Sequence, residues 1–307
     1  MQDKQSAIQA VDAAVILEPL DSLLLALEAK LEREWPARLA HLPGARELFL
    51  LTFRTANATY RSIRYLAADK PPDPDRRLEY CVSISPLNRT ILDNLFTVIF
   101  VLEDIPARCQ WYFKSDWRET RLELERFRAE YGQFPDWQEW LAKLAKYSDI
   151  GITLLELSPS EVAEPSRIPS WPTPGNMASH EVSPKLPLPQ ARAFLKYLND
   201  WFYADLSQQS HLGGSGLIKR AGGLINDYRK NPETEQQLIR YKKAQVGQTI
   251  TLMLSLASEF EIYFDFGLRE RVRYLWAVMT PYIVVGKEMF DKKYASLFNM
   301  SAQILVL

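Results

Sequence analysis

Residues 88–102 read NRTILDNLFTVIFVL, and this stretch decides the fold. Its second part, residues 95–102, is almost entirely apolar, so a helix formed there has no polar face and has to be surrounded by other helices. Acidic Glu103 and Asp104 close the run. The run is also far shorter than the roughly 20 apolar residues that cross a bilayer. The pattern therefore predicts a buried central helix and no membrane span.

Most of the remaining chain also has helical periodicity. Apolar residues recur every three or four positions, and no stretch alternates as a strand does. Residues 158–189 differ, because they hold eight of the 19 prolines, and we expect a long loop there. The sequence thus predicts an all-α multi-helix bundle. Its N-terminal helical half (1–157) and C-terminal helical half (190–307) are expected to form one compact domain around the proline-rich excursion.

Three local features are predicted as well. The segment from about residue 188 to 211 is expected to be one uninterrupted helix. Asp136 and Glu139 have the spacing of a capping box at a helix start. Pro281 is expected to kink a final helix that spans roughly residues 268–299.

Composition excludes several classes of function. The 307-residue chain has a formal net charge of −1, so its overall charge attracts neither nucleic acid nor an anionic membrane. The three histidines are far apart in sequence and no paired-cysteine motif occurs, so we expect no metal site and no cofactor. Cys81 and Cys109 flank the central helix and are predicted to be free thiols, which favours a cytoplasmic protein.

Polar residues at helical spacing mark the candidate site. Arg89 and Asp93 lie four residues apart on the same face as the apolar core of the central helix. Tyr203, Ser207 and His211 are each four residues apart on a later helix. Because buried polar groups need partners, we expect the two sets to face each other and line one pocket.

The same residues carry a family resemblance. The segment from Asn88 to Leu95, followed by an apolar helix, and the later Tyr203, Ser207 and His211 resemble a bacterial helical family catalogued as domain of unknown function five-six-seven-seven. Asp93 stands where that family more usually has Glu. The resemblance implies an all-helical fold without an assigned activity.

That family is in turn remotely similar to the HEPN group of helical nucleotide-binding and RNA-cleaving modules, found in bacterial defence and toxin systems. The HEPN nucleases usually carry an Arg four to six residues before the His. Here the positions hold Asp205, Leu206 and Ser207 instead. Arg89 would have to supply the guanidinium from another helix.

A basic segment follows the candidate site. Five cations are candidates for contacts with a phosphate backbone, namely Lys219, Arg220, Arg240, Lys242 and Lys243. A solvated helix face explains the same charges. Nucleic-acid binding therefore remains one of two interpretations of this segment.

Three hypotheses for function follow. The leading one is an intracellular helical module whose pocket of Arg89, Asp93, Tyr203, Ser207 and His211 binds a ligand, nucleotide or RNA, in stress or phage defence by resemblance. The second is a HEPN-like, metal-independent ribonuclease with His211 as general acid or base and Arg89 stabilising the transition-state charge. The third is a non-catalytic structural protein that binds a protein partner or forms a homodimer.

Overall fold

A computed structural model describes residues 13–68, 78–180, 189–210 and 228–295. These ranges are largely helical and contain no β-strand, so the predicted all-α multi-helix bundle is confirmed. The first helices are α1 (Ala13–Arg33), α2 (Ala45–Leu66), α3 (Ile84–Leu102), α4 (Ile105–Tyr131) and α5 (Pro135–Leu154). The later ones are α6 (Pro159–Ala163), α7 (Pro174–Ser179), α8 (Pro189–Leu198), α9 (Ala204–Ser210), α10 (Pro232–Phe264), α11 (Arg269–Met279) and α12 (Val284–Met289).

Helix α3 is the central helix that its sequence predicts. From Leu95 to Leu102 every described apolar side chain is at most 3% exposed. Helices α2, α4, α9 and α10 pack around it. This enclosure explains why the stretch tolerates no polar face, and it places Arg89 and Asp93 where α3 meets its neighbours.

Helix α10 is buried along its middle although it is rich in hydroxyl side chains. Thr251, Ser255 and Ser258 are fully buried, and each hydroxyl donates to the backbone carbonyl four residues earlier at 2.7–2.8 Å. Such bonds satisfy a polar group within its own helix. A polar sequence can therefore pass through an apolar core without unpaired hydroxyls at these positions.

A polar contact sets how α3 lies on α10. The amide of Asn88 donates to the backbone oxygen of Gln245 at 3.0 Å and to its side-chain oxygen at 3.1 Å. The hydroxyl of Thr249 donates to the amide oxygen of Asn88 at 2.7 Å. All three residues are buried, so sliding one helix along the other would leave polar groups unpaired in the core.

Both predicted halves contribute to the same hydrophobic core. The ring of Phe260 on α10 packs edge-on against Phe49 and Phe53 of α2, with ring centroids 5.9 Å apart in both pairs. Edge-to-face contacts of this kind add to the stabilisation that comes from burial. The residue boundaries of the halves stay a prediction.

The structure differs from the sequence prediction between residues 189 and 210. Helices α8 and α9 are separated by a π-helical segment, Asn199–Tyr203. The wider π turn shifts the angular position of every later residue relative to a regular 3.6-residue helix. A projection onto one uninterrupted helix therefore misplaces the side chains that follow, including Ser207.

The described part of the proline-rich segment is more helical than a loop prediction implies. Residues 158–180 contain α6, α7 and a 3-10 turn (Pro165–Arg167) between non-helical connections. Ile168 and Met177 are buried, and the indole N–H of Trp111 donates to the backbone oxygen of Pro169 at 3.0 Å. Prolines at the first positions of these short elements start them, because the missing N–H has no intrahelical partner there. Residues 181–188 lie outside the described ranges.

Two local predictions were wrong. The start of α5 has no capping box at Asp136, because Phe134 occupies the N-cap position and makes no side-chain cap bond. The capping box occurs instead at Ser158 and Glu161, at the start of α6. Pro281 ends α11 rather than kinking it, since the chain leaves the helix at Thr280 and resumes at Val284.

A buried ion pair joins the C-terminal part of the described chain to α10. The ammonium of Lys293 lies 2.5 Å from a carboxylate oxygen of Glu259, and both side chains are at most 7% exposed. The hydroxyl of Tyr294 donates to the same oxygen at 2.7 Å. Lys293 and Tyr294 belong to a second π-helical segment, Phe290–Tyr294. The pair thus anchors this segment on the core.

We expect Lys293→Met to lower the free energy of unfolding by about 3–5 kcal/mol, because it leaves the Glu259 carboxylate buried without its cation. Denaturant unfolding followed by circular dichroism measures the change. Lys196→Met is the matched control, since Lys196 pairs with Asp200 on the surface and is 70% exposed. Equal effects of the two substitutions would contradict the structural role of the buried pair.

Candidate functional site

The candidate site lies where α3 meets the start of α9. The guanidinium carbon of Arg89 lies 3.5 Å from the ring centroid of Tyr203, so the cation is placed over the aromatic face. The ring of Phe96, two turns further along α3, contacts the same tyrosine in a T-shaped arrangement at 6.0 Å. A cation–π contact that is largely shielded from water contributes more than an exposed one. The structure thus brings Arg89 and Tyr203 together across two helices.

Asp93 holds the other side of the guanidinium. The Nε–H of Arg89 donates to both carboxylate oxygens of Asp93, at 3.0 and 3.1 Å. Arg89 is 13% exposed and Asp93 is 46% exposed, so the pair points from the core edge toward solvent. Burial raises the pKa of the Asp93 carboxyl above its ordinary value, while the hydrogen bond and charge of Arg89 act in the opposite direction.

One terminal nitrogen of Arg89 is unsatisfied. Its Nη1 atom is buried and has no hydrogen-bond partner among the residues that the structure describes. Buried donors are nearly always paired in folded proteins, so each exception needs an explanation. Stacking and the Asp93 contact fix the guanidinium plane, and this donor is therefore held in one direction.

Other arginines with a buried unpaired nitrogen differ from Arg89. In Arg46, Arg118 and Arg273 the unpaired atom is Nε, and a terminal nitrogen of each is already bonded to an oxygen. In Arg89 the order is reversed, with Nε bonded and a terminal nitrogen unpaired. Terminal nitrogens reach furthest from the helix and form the fork that binds carboxylates and phosphates.

A second polar contact joins α9 to α10 beside the site. The amide of Gln209 donates to Asp205 at 2.7 Å, and the hydroxyl of Tyr241 donates to the amide oxygen of Gln209 at 3.0 Å. Gln209 is buried. Sequence reasoning missed Gln209 and Asp205, although their four-residue spacing beside buried Leu206 is a usable signal.

The predicted site residues are only partly brought together. Arg89, Asp93 and Tyr203 are in direct contact, and Ser207 is half-buried one turn after Tyr203 on α9. His211 lies outside the described residues. The predicted facing of the two polar sets thus holds for the residues that can be placed.

The basic segment is described only in its second part. Arg240 and Lys243 are exposed on α10 and Lys242 is half-buried, whereas Lys219 and Arg220 lie outside the described residues. These α10 cations are within about one and a half turns of Gln245, which contacts Asn88, the neighbour of Arg89. Basic side chains are therefore present on the helix that flanks the candidate site.

Three further searches limit the chemistry. Across the described ranges, no group of three or more His, Cys, Asp or Glu side chains could hold a metal ion. Among the same residues, no helix combines the length and apolar character of a membrane span. Cys81 and Cys109 are buried free thiols, and burial raises the pKa of Cys81 to about 11 and that of Cys109 to about 12. Both thiols are therefore protonated at neutral pH and poor nucleophiles.

Comparisons with family models, with curated proteins and with solved structures found no match. The family resemblance described from the sequence therefore stays a prediction. The geometry of the site has to support any functional proposal.

We expect Arg89→Gln to raise the pKa of Asp93 further, because it removes the cation that opposes the effect of burial. A carboxyl whose folded-state pKa lies above its unfolded value contributes stability that is present below the unfolded pKa and lost as pH rises through the folded pKa. The substitution should therefore extend this window, which begins near pH 3.8, to higher pH. An NMR titration of the Asp93 side-chain carboxyl measures the shift. Arg54→Gln, on the surface of α2, should leave it unchanged, and an unmoved or lowered value in Arg89→Gln would contradict the assignment.

Proposed function

We propose that this chain binds a phosphorylated ligand, a nucleotide or RNA, through Arg89. The observation that carries the proposal is the unpaired terminal nitrogen of a guanidinium whose Nε is bonded to Asp93 and whose face is covered by Tyr203. A phosphate oxygen is an acceptor that matches this donor in charge and geometry. Ser207, half-buried on the same side of α9 in the sequence pattern, is proposed as a second contact.

Preorganisation supports binding at this position. Two neighbours already immobilise the Arg89 side chain, so a ligand need not pay the usual entropy of ordering a long flexible side chain. The buried donor would gain a partner that it lacks in the free protein. Both effects favour the bound state without rearrangement of the fold.

Electrostatics favours a polyanion over a small free anion. Arg89 and Asp93 together are neutral, so the pair attracts distant anions weakly. Arg240 and Lys243, exposed on the adjoining α10, and Lys242, half-buried beside them, would add the cationic surface that an RNA backbone requires. In this proposal Lys219, Arg220 and His211 extend the same surface. We further propose a cytoplasmic role in stress or phage defence, on the basis of the free thiols and the sequence resemblance.

A metal-independent ribonuclease is the second candidate. The observation in its favour is that Tyr203 and Ser207 approach Arg89 on the helix that leads directly to His211. Arg89 would then stabilise the charge on the reacting phosphate, and His211 would transfer a proton. Tyr203 and Asp93 would position the guanidinium in both schemes.

We expect Arg89→Lys to weaken binding of a fluorescently labelled single-stranded RNA by about tenfold or more, or about 1.4 kcal/mol, because a lysine ammonium cannot reproduce the terminal guanidinium nitrogen. Fluorescence anisotropy in EDTA measures the dissociation constant, with labelled ATP as a second probe. Arg54→Lys is the control, since Arg54 pairs with Glu28 and Glu32 on the surface. Equal affinity in wild type and Arg89→Lys would exclude the proposed site.

The same RNA separates the remaining hypotheses. Cleavage in EDTA that disappears in His211→Ala identifies a ribonuclease, and binding without cleavage identifies a binding module. Neither binding nor cleavage, together with a lower unfolding free energy of Arg89→Lys, identifies the cluster as a structural fastening between α3 and α9.

A further inference from the structure

Helices α4 and α5 form an antiparallel hairpin with its own small core. Helix α5 packs chiefly against α4. Trp117, Leu157 and Ile168 form a cluster separate from the main core, and the indole N–H of Trp117 donates to the backbone oxygen of Ser148 at 2.8 Å. A Cβ atom at Gly151 would lie 2.5 Å from the Trp117 ring, so this glycine lets the helices approach closely. These contacts identify the inner face of α5.

A second apolar face of α5 has no covering element among the described residues. Trp140, Tyr147, Ile150 and Leu154 are 40%, 70%, 44% and 71% exposed. Their spacing of seven, three and four residues places them in one stripe along the helix, on the side away from Leu141 and Ser148. Lys143 lies on the same stripe, and its ammonium contacts Glu139 at 2.6 Å.

The stripe continues onto the aromatic end of the hairpin. Phe134 and Trp137 are 47% and 37% exposed, and Trp137 stacks on Tyr131 with ring centroids 4.4 Å apart. Six of the fourteen exposed large apolar side chains of the described ranges thus lie between residues 134 and 154. Isolated exposed apolar residues are common, but a contiguous group of this kind marks an interaction surface.

We propose that this stripe is the interface of a homodimer, in which α5 packs against α5 of a second copy. Large apolar side chains present about 150–250 Å² each when fully exposed, so the exposed fractions of these six correspond to roughly 600 Å² per copy. Two copies then bury about 1,200 Å² from these side chains alone, which reaches the range of stable specific interfaces. One surface serves both copies, as a two-fold dimer requires.

Charge complementarity selects an antiparallel arrangement. Glu139 and Lys146 lie seven residues apart on the same edge of the stripe. A two-fold axis between Ala142 and Lys143 places Glu139 of each copy opposite the partner's Lys146. The same register places Tyr147 opposite the partner's Trp137, so the exposed aromatic side chains cover each other.

The charge of the hairpin argues against an anionic membrane as the occupant. Residues 121–149 contain five basic and six acidic side chains, so the aromatic surface lacks the cationic surroundings that bind anionic lipid. A self-complementary pattern of one acid and one base is instead what a second copy satisfies.

Sedimentation velocity of the full chain over a range of concentrations tests the proposal. We expect a concentration-dependent dimer in the wild type. Glu139→Lys and Lys146→Glu should each weaken it by on the order of tenfold, because each creates two like-charge contacts across the axis. The double substitution Glu139→Lys with Lys146→Glu should restore dimerisation, since both pairs form again with reversed polarity. Trp140→Glu should give a monomer.

Leu51→Glu is the control, because Leu51 is 60% exposed on α2, away from the hairpin. Circular dichroism of each variant shows that the fold is retained. A wild type that stays monomeric at every concentration would overturn the proposal. So would a dimer that Trp140→Glu leaves intact, or one in which the double charge reversal fails to restore association.

Discussion

The hydrogen bonds between Asn88, Gln245 and Thr249 are the constraint on which the candidate site depends. They lie in the core, where an unpaired amide or hydroxyl costs about 1–3 kcal/mol, and they can form in only one register of α3 against α10. Arg89 follows Asn88 directly, so the register that satisfies Asn88 also fixes where Arg89 leaves the core edge. The position of the guanidinium is therefore set by buried polar chemistry one residue away.

Two polar clusters of this fold illustrate different uses of a cation near the core. Lys293 contacts Glu259 with the hydroxyl of Tyr294 bonded to the same carboxylate, which is the pattern of a stabilising anchor. Arg89 is bonded and stacked on two sides while one terminal donor has no partner among the described residues. An unsatisfied donor that is rigidly held has a cost in the free protein, and a ligand oxygen would remove it. The difference in satisfaction, more than burial, distinguishes the proposed site from the structural cluster.

Much of the fold could be predicted because it follows from periodicity. The apolar run of residues 95–102 specifies a central helix by itself, and the four-residue spacing of Arg89 and Asp93 predicts a pair on one face, as observed. The contact of that face with Tyr203 was predictable only as a need for a polar partner. The π turn at Asn199–Tyr203 was not predictable, since it is selected by tertiary packing and leaves no periodic signal. The Gln209 contact with Tyr241 is likewise a long-range pairing that one sequence does not contain.

A double-mutant cycle between Arg89 and Tyr203 tests most directly whether α3 and α9 meet through this cation and ring. The unfolding free energies of Arg89→Met, Tyr203→Leu and the double variant are compared with that of the wild type. We expect a favourable coupling of about 0.5–2 kcal/mol, as found for shielded cation–π pairs. Effects that add within about 0.3 kcal/mol would show that the two side chains do not interact, and the proposed site would lose its geometric basis.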